Sequence, residues 1–328
     1  MPCWIRCWNW CLCPDMSDFN PSDWLQQLAA TGVSLSLPEL LWYQRYTKLL
    51  DLRPQQHIQS KLAGSYLARS KGRGMEFDEV RHYLPGDDVR TIDWRVTART
   101  GKAHTKLFRE EKERPVFVLT DLSDSMHFGS QLLFKSVQAA HLAALIGWHS
   151  KASGDKLGGL VFSEHHHLEL KPRSRSAGVL HYLHALQAVH NPTSGRFGLT
   201  FPQALGQMRR LVRPGSLLFV LSDFHQLDQE ALRHLSAIRQ HNEVVCTALH
   251  DPLERTLPQH GSGQARVTDG EQSGWLDLTS SRIRQHYQQR QHQAQQSVQQ
   301  QLKQLGCRYL AISAAEPLVQ QLTRSWHD

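Results

Sequence analysis

Asp121, Ser123 and Ser125 stand at alternate positions directly after a short apolar run, Val116 to Thr120. The run has the length and character of a buried strand. A carboxylate and two hydroxyls so placed can face one point beyond the strand end. They offer hard oxygen ligands with little negative charge. That chemistry suits Mg²⁺, which takes oxygens at about 2.0–2.1 Å, keeps waters, and leaves room for an outside group. Mn²⁺ is an alternative occupant. A second apolar run, Ser216 to Ser222, ends in Asp223, and Gly198-Leu199-Thr200 lies between the two runs. Thr193 rivals Thr200 as the threonine of the set. Asp121, Ser123, Ser125, Thr200 and Asp223 thus become candidate metal ligands on three loops. The competing reading makes Asp121 to Ser125 an ordinary helix N-cap. Asp223 at a second strand end favours the metal.

Such loops converge only if the strands share one sheet. Residues 115 to 328 alternate between strand-like and helix-like runs. The strand-like runs are Val116–Thr120, Leu157–Phe162, Leu217–Leu221, Val244–Leu249 and Arg308–Ile312. The helix-like runs are Gln131–Ser150, Ala177–Val189, Phe201–Leu211, Gln229–His241, Ser280–Leu305 and Glu316–Arg324. This alternation predicts an α/β fold with a doubly wound, mostly parallel sheet covered on both faces. Ligands in such sheets bind at the carboxyl ends of the strands, at the topological switch point. The histidine run His165-His166-His167 separates two apolar stretches and reads as an exposed hairpin turn. Neighbouring side chains on a strand point to opposite faces, which argues against three ligands for one metal.

Ahead of this region the pattern changes. Residues 17 to 63 read as helical, with Ser36-Leu37-Pro38-Glu39 in the form of a capping box. Residues 64 to 114 are glycine-punctuated, with short strand-like pieces at Thr91–Thr97 and His104–Phe108. Arginines and carboxylates alternate closely through this stretch. They can pair as Arg–carboxylate forks that pin the turns, or they can present a docking surface to a partner. The expected division is a non-structural extension at 1–16, a helical then β-rich region at 17–114, and the α/β domain at 115–328.

Composition limits the function classes. With 40% hydrophobic and 20% charged residues, the 328-residue chain has the balance of a globular protein. No apolar run reaches the roughly eighteen residues of a membrane span. The formal charge is 37 − 30 = +7, but the basic residues are dispersed among acids, so no nucleic-acid tract is expected. Four of the six cysteines (Cys3, Cys7, Cys11 and Cys13) crowd the first thirteen residues without the spacing of a zinc knuckle. No phosphate-binding Gly-rich loop or nucleophile elbow is present. A non-enzymatic protein is therefore expected. Its rivals are a phosphoryl-transfer enzyme using Asp121 and a nucleic-acid-binding protein. The first is weakened by Ser at position 123, where the dehalogenase pattern needs a second Asp.

The segment Arg81-His82-Tyr83-Leu84-Pro85-Gly86-Asp87-Asp88-Val89-Arg90-Thr91-Ile92-Asp93-Trp94, with Ala98-Arg99 after it, resembles the hallmark of the bacterial domain-of-unknown-function family 58. Asp121-Leu122-Ser123-Asp124-Ser125-Met126 and Asp251-Pro252-Leu253-Glu254 also fit that family, over about residues 55 to 325. The Asp-x-Ser-x-Ser element resembles the metal-ion-dependent adhesion site of von Willebrand factor type A domains. The resemblance implies such an α/β domain with an N-terminal β-rich extension. It implies a MoxR-type AAA+ ATPase as partner, client proteins that the pair assembles or activates, and a cytoplasmic location with no membrane span. It marks Arg81, Tyr83, Gly86, Asp87, Asp88, Arg90, Asp93, Trp94 and Arg99 as a docking or structural motif.

Overall fold

The structure is a computed structural model that describes residues 21–50, 75–84, 87–110, 114–191, 197–257, 264–268, 273–277 and 279–325. Cys3, Cys7, Cys11, Cys13, Thr193 and Gly86 lie outside the described residues. The chain forms two compact units. One is the stretch 56–114; the other combines the N-terminal residues with everything from Pro115 onward. The helical N-terminus therefore belongs to the α/β unit, not to a region 17–114 as expected from chain order. It contributes α1 (Pro21–Leu28), α2 (Leu37–Trp42) and a 3₁₀ turn, Tyr43–Leu49. The reason is apolar: Leu40 and Tyr43 are fully buried within the core of that unit.

The smaller unit pairs β1 (Met75–His82) antiparallel with β2 (His104–Glu110). Between them lie a 3₁₀ turn, Val89–Thr91, and α3 (Trp94–Thr100). The strand-like reading of Thr91–Thr97 is corrected here. Its β-branched and aromatic residues favour a strand locally, but Asp93 accepts from the N–H groups of Arg95 and Val96, at 3.0 and 3.2 Å. That cap starts a helix, and Gly101, at φ 70°, ends it. Asp88 likewise accepts from the Arg90 N–H at 3.0 Å and caps the 3₁₀ turn. Asp87 accepts from the Leu84 N–H at 3.0 Å and pairs with Arg81 at 2.7 Å. The Tyr83 hydroxyl donates to the Asp87 carbonyl at 3.5 Å. The acids of this segment thus serve mainly to hold turns. Arg90, Trp94 and Arg99 are exposed, with Trp94 at 67%.

In the larger unit a six-stranded sheet has the spatial order β10 (Arg308–Ser313), β7 (Glu243–His250), β6 (Leu217–Ser222), β3 (Pro115–Asp121), β4 (Lys156–Phe162), β5 (His167–Arg173). All neighbours are parallel except β4 and β5, which form the antiparallel hairpin expected around the histidine run. The residues of β3 divide by alternation. Val116 and Val118 face a core built with α4 (Lys135–Ala152), α5 (Arg175–His190), α10 (Leu318–Ser325) and the N-terminal helices. Phe117 and Leu119 face a second core with α6 (Phe201–Leu211), α7 (Gln229–Arg239) and the long α9 (Ser281–Gln304). A short α8 (Pro252–Arg255) follows β7, and β8 (Gln264–Thr268) pairs with β9 (Ser273–Asp277) in a separate hairpin.

Helix α4 is apolar on most sides because it is covered on most sides. The N-terminal helices lie over it. Trp148 Nε1 donates to the Leu40 carbonyl at 3.1 Å, and buried His141 faces buried Glu39 at 3.8 Å. At the sheet centre, the Tyr182 hydroxyl donates to the Val118 carbonyl at 3.0 Å and lies 2.8 Å from Thr120 Oγ1. A Cβ on Gly159 would fall 2.0 Å from the Val118 carbonyl and 2.9 Å from the Tyr182 ring. This close approach fixes the level of β4 against β3.

Asp93→Ala should speed hydrogen exchange at the amides of Arg95 and Val96, because their acceptor is lost. Arg90→Ala should leave those amides unchanged. Equal exchange in both variants would show that the cap does not hold this helix.

Candidate metal centre at the carboxyl ends of β3 and β6

Chain direction reverses between β3 and β6. From β3 the chain moves outward through β4 to β5, then returns to β6 on the other side of β3 and continues to β7 and β10. The loops after β3 and β6 therefore diverge and leave a crevice between them. Asp121 ends β3, and Asp223 directly follows β6.

The loop after β3 is built by its own polar groups. Asp121 Oδ1 accepts from the Ser123 N–H at 3.0 Å, and the chain then enters a 3₁₀ turn, Asp124–Met126, anchored by buried Met126. Ser123 Oγ lies 3.3 Å from Ser125 Oγ, and Ser125 Oγ donates to Asp223 Oδ2 at 2.8 Å. Ser222 Oγ donates to the other Asp121 oxygen at 2.5 Å. One hydrogen-bonded cluster thus contains Asp121, Ser123, Ser125 and Asp223. Asp121 and Ser123 are almost fully buried, while Ser125 reaches the crevice.

Thr200 is not part of this hydrogen-bonded cluster. It is exposed at the N-terminus of α6, where its N–H donates to Gln203 Oε1 at 3.1 Å. No hydrogen bond among the described residues joins it to the other four. The next residue ties α6 to the β6 loop, since the Phe201 N–H donates to Gln226 Oε1 at 3.1 Å.

Three partners escaped the sequence reading. Lys135, at the first turn of α4, is fully buried. Its ammonium lies 2.9 Å from Asp223 Oδ2 and 2.5 Å from Glu254 Oε1. Burial alone would lower its pKa, but the charges of Asp223 and Glu254 outweigh that and hold it above the ordinary value. Glu254 belongs to the stretch Asp251-Pro252-Leu253-Glu254, whose role the sequence left open. In the same stretch, Asp251 accepts from the Ser130 N–H at 2.8 Å and from Ser130 Oγ at 2.5 Å. It thereby fixes the loop that delivers Lys135. Ser222 is the third partner, legible only as the residue before Asp223.

Charge balance decides what the cluster can hold. Burial opposes ionisation of Asp223, but Lys135 and His225 hold its carboxyl below the usual range. Asp121 has no such partner. Burial and the charge of Asp223 push its carboxyl up to about 7. When all groups are ionised, Asp121, Asp223 and Glu254 carry three negative charges against the one ammonium of Lys135, with His225 beside Asp223. Two hydroxyls and two carboxylates beside that excess are a donor set suited to one hard divalent cation. The residues present therefore fit the ion that the sequence implied.

The backbone at this point is strained. Phe224 has φ 59°, a conformation that costs a non-glycine residue roughly 1–3 kcal/mol. The turn lets the His225 N–H reach Asp223 Oδ1 at 3.0 Å and the Phe224 N–H reach Ser222 Oγ at 3.1 Å. The Phe224 ring is held against Phe201, with centroids 5.7 Å apart.

A sequence-family profile described as protein of unknown function DUF58 matches residues 79–297. An uncharacterized protein of Mycobacterium tuberculosis is 29% identical over 214 residues, which covers 65% of this chain and 67% of the relative. An uncharacterized protein of Mycobacterium bovis matches to the same extent. Among solved structures, the conserved hypothetical protein BatB from Bacteroides thetaiotaomicron is 15% identical. It covers 66% of this chain and all of that one, with a TM-score of 0.40. An aerotolerance-related membrane protein from Bacteroides fragilis is 17% identical, covering 64% and 97% of the two chains, with a TM-score of 0.38. Among the described residues no helix is long and apolar enough to cross a membrane.

A pH dependence follows from the Asp121 carboxyl. Its folded-state pKa of about 7 lies above the ordinary 3.8. Between those values the folded protein keeps a proton that the unfolded chain has lost. The stability this group contributes therefore falls as pH rises from about 4 to about 7, and is level above that. Denaturant unfolding in chelator should show this decline in the wild type and not in Asp121→Asn. The same pH profile in both proteins would contradict the assignment.

Proposed function

This chain belongs to the DUF58 family of proteins of unknown function, and we propose that its α/β unit is a non-enzymatic, Mg²⁺-dependent protein-interaction module. The observation that carries this reading is the convergence of Asp121, Ser123, Ser125 and Asp223 in one hydrogen-bonded cluster at the switch point. Ser123 and Ser125 would ligate directly, with Asp121 and Asp223 ligating directly or through water. Thr200 is the remaining candidate. When bound, Mg²⁺ would supply an open coordination position for a carboxylate from a partner. Half-buried Ser125 gives that position access to solvent. Site and partner would then act together in the manner of a von Willebrand A-type domain.

The partner in this proposal is a MoxR-type AAA+ ATPase, with which the protein would assemble or activate client proteins in the cytoplasm. The 56–114 unit offers a second surface. Arg90, Trp94 and Arg99 are exposed there, and arginine and tryptophan are the residue types that most often dominate protein interfaces. The phosphoryl-acceptor alternative is disfavoured by the environment of Asp121. Asp121 is 3% exposed, which leaves no room for a phosphoryl group to approach its carboxylate in line.

Calorimetry should detect one Mg²⁺ site in the wild type and none in Asp121→Ala, with the fold retained by circular dichroism. Co-purification of the ATPase should fall in chelator and with Ser123→Ala. Undiminished ATPase binding under both conditions would overturn the metal-bridged mechanism.

A further inference from the structure

Lys135 competes for an oxygen that the metal reading assigns to Mg²⁺. Asp223 Oδ2 accepts from both Ser125 Oγ and Lys135 Nζ, at 2.8 and 2.9 Å. A carboxylate oxygen has two lone pairs, so this one is fully engaged. Asp223 Oδ1 is engaged as well, by the His225 N–H at 3.0 Å. Direct ligation through Oδ2, the oxygen that faces Ser125, therefore requires the ammonium to withdraw. Glu254 gives it somewhere to go. Its carboxylate already holds Lys135 at 2.5 Å, and its side chain is 27% exposed, against 6% for Asp223. A cavity of about 110 Å³, lined by Asp223, Glu254, His250, Arg255 and Tyr309 among others, lies alongside these acids. It gives the Glu254 carboxylate room to shift.

A buried lysine here is also costly unless it does this work. An ammonium taken out of water loses several kcal/mol of hydration, and only its two carboxylate partners return that. Lys135 is held in place by more than those acids. Its N–H donates to the Phe128 carbonyl at 2.8 Å, and Asp251 fixes the preceding loop through Ser130. The ammonium is thus delivered to the metal cluster by a preorganised turn.

Resting on the Mg²⁺ reading, we propose that Lys135 is a tethered cation that occupies Asp223 when no metal is bound and passes to Glu254 when Mg²⁺ enters. The consequence is regulation of that site. The metal-free protein keeps a partly neutralised acid cluster, and Mg²⁺ must displace a built-in competitor. Lys135 then sets the Mg²⁺ concentration at which the site fills.

The test uses the full chain with Mg²⁺ alone, read by calorimetry and by thermal unfolding. Lys135→Met should bind Mg²⁺ at least tenfold more tightly than the wild type. Its metal-free form should unfold at a lower temperature, and saturating Mg²⁺ should raise that temperature more than in the wild type. The double variant Lys135→Met, Glu254→Gln removes one positive and one negative charge. Bulk electrostatics alone predicts unchanged affinity for it, whereas release of Asp223 predicts tighter binding. This charge-balanced variant also carries the test should Lys135→Met alone fail to fold. Mg²⁺ affinity in both variants that is no tighter than in the wild type would leave the metal site standing and overturn the role of Lys135. No Mg²⁺ binding by any of the proteins would overturn the metal reading and this inference together.

Discussion

Two buried carboxylates on neighbouring parallel strands cannot both stay ionised without positive charge close by. That constraint organises the carboxyl end of this sheet. Strands β3 and β6 are adjacent and in register from Val116 opposite Leu217 to Thr120 opposite Leu221, so Asp121 and Asp223 arrive together. The protein places one ammonium against this pair and biases it toward Asp223. Asp121 is left in the low-dielectric interior, stabilised by hydrogen bonds from Ser222 and from the amide and hydroxyl of Ser123. The resulting imbalance is a property of the fold itself, and in the proposed reading it is what would draw a cation.

The surrounding elements hold this unfavourable arrangement in place. Buried Met126 pins the loop after β3, Asp251 pins the loop before α4, and the strained turn at Phe224 aims two amides back at Asp223 and Ser222. Strained turns persist where the structure around them over-determines the conformation. Here the determinants are the packing of Phe224 on Phe201 and the tie from the Phe201 amide to Gln226. The N-terminal helices act at longer range. By covering α4 they allow a nearly all-buried helix, whose first residue is Lys135, to run through the core.

Much of this was legible in the residues themselves. The apolar run ending in Asp-x-Ser-x-Ser, the second run ending in Asp223, and the alternation of strands and helices sufficed to predict an α/β sheet with these four side chains at its carboxyl edge. The helix at Phe201–Leu211 was readable to its ends because Thr200 and Pro202 mark its start. Lys135 was not readable, since a lysine at the start of a helix is ordinarily a solvated charge. Only the distant Glu254 and Asp223 explain its burial, and one-dimensional spacing does not reveal such pairings. The arginine- and acid-rich segment misled in another way. Local β-propensity at Thr91–Thr97 yielded to a side-chain cap at Asp93, an interaction of one carboxylate with two amides that outweighs weak strand preference.

In the proposed reading, Asp121, Ser123, Ser125 and Asp223 would surround one divalent cation. Anomalous X-ray scattering from crystals of the full chain equilibrated with Mn²⁺ tests it most directly. The claim predicts a single strong anomalous peak between the ends of β3 and β6, within ligand distance of Ser123 Oγ and Ser125 Oγ. No peak at that crevice, with Lys135 still bonded to Asp223 at saturating Mn²⁺, would contradict it.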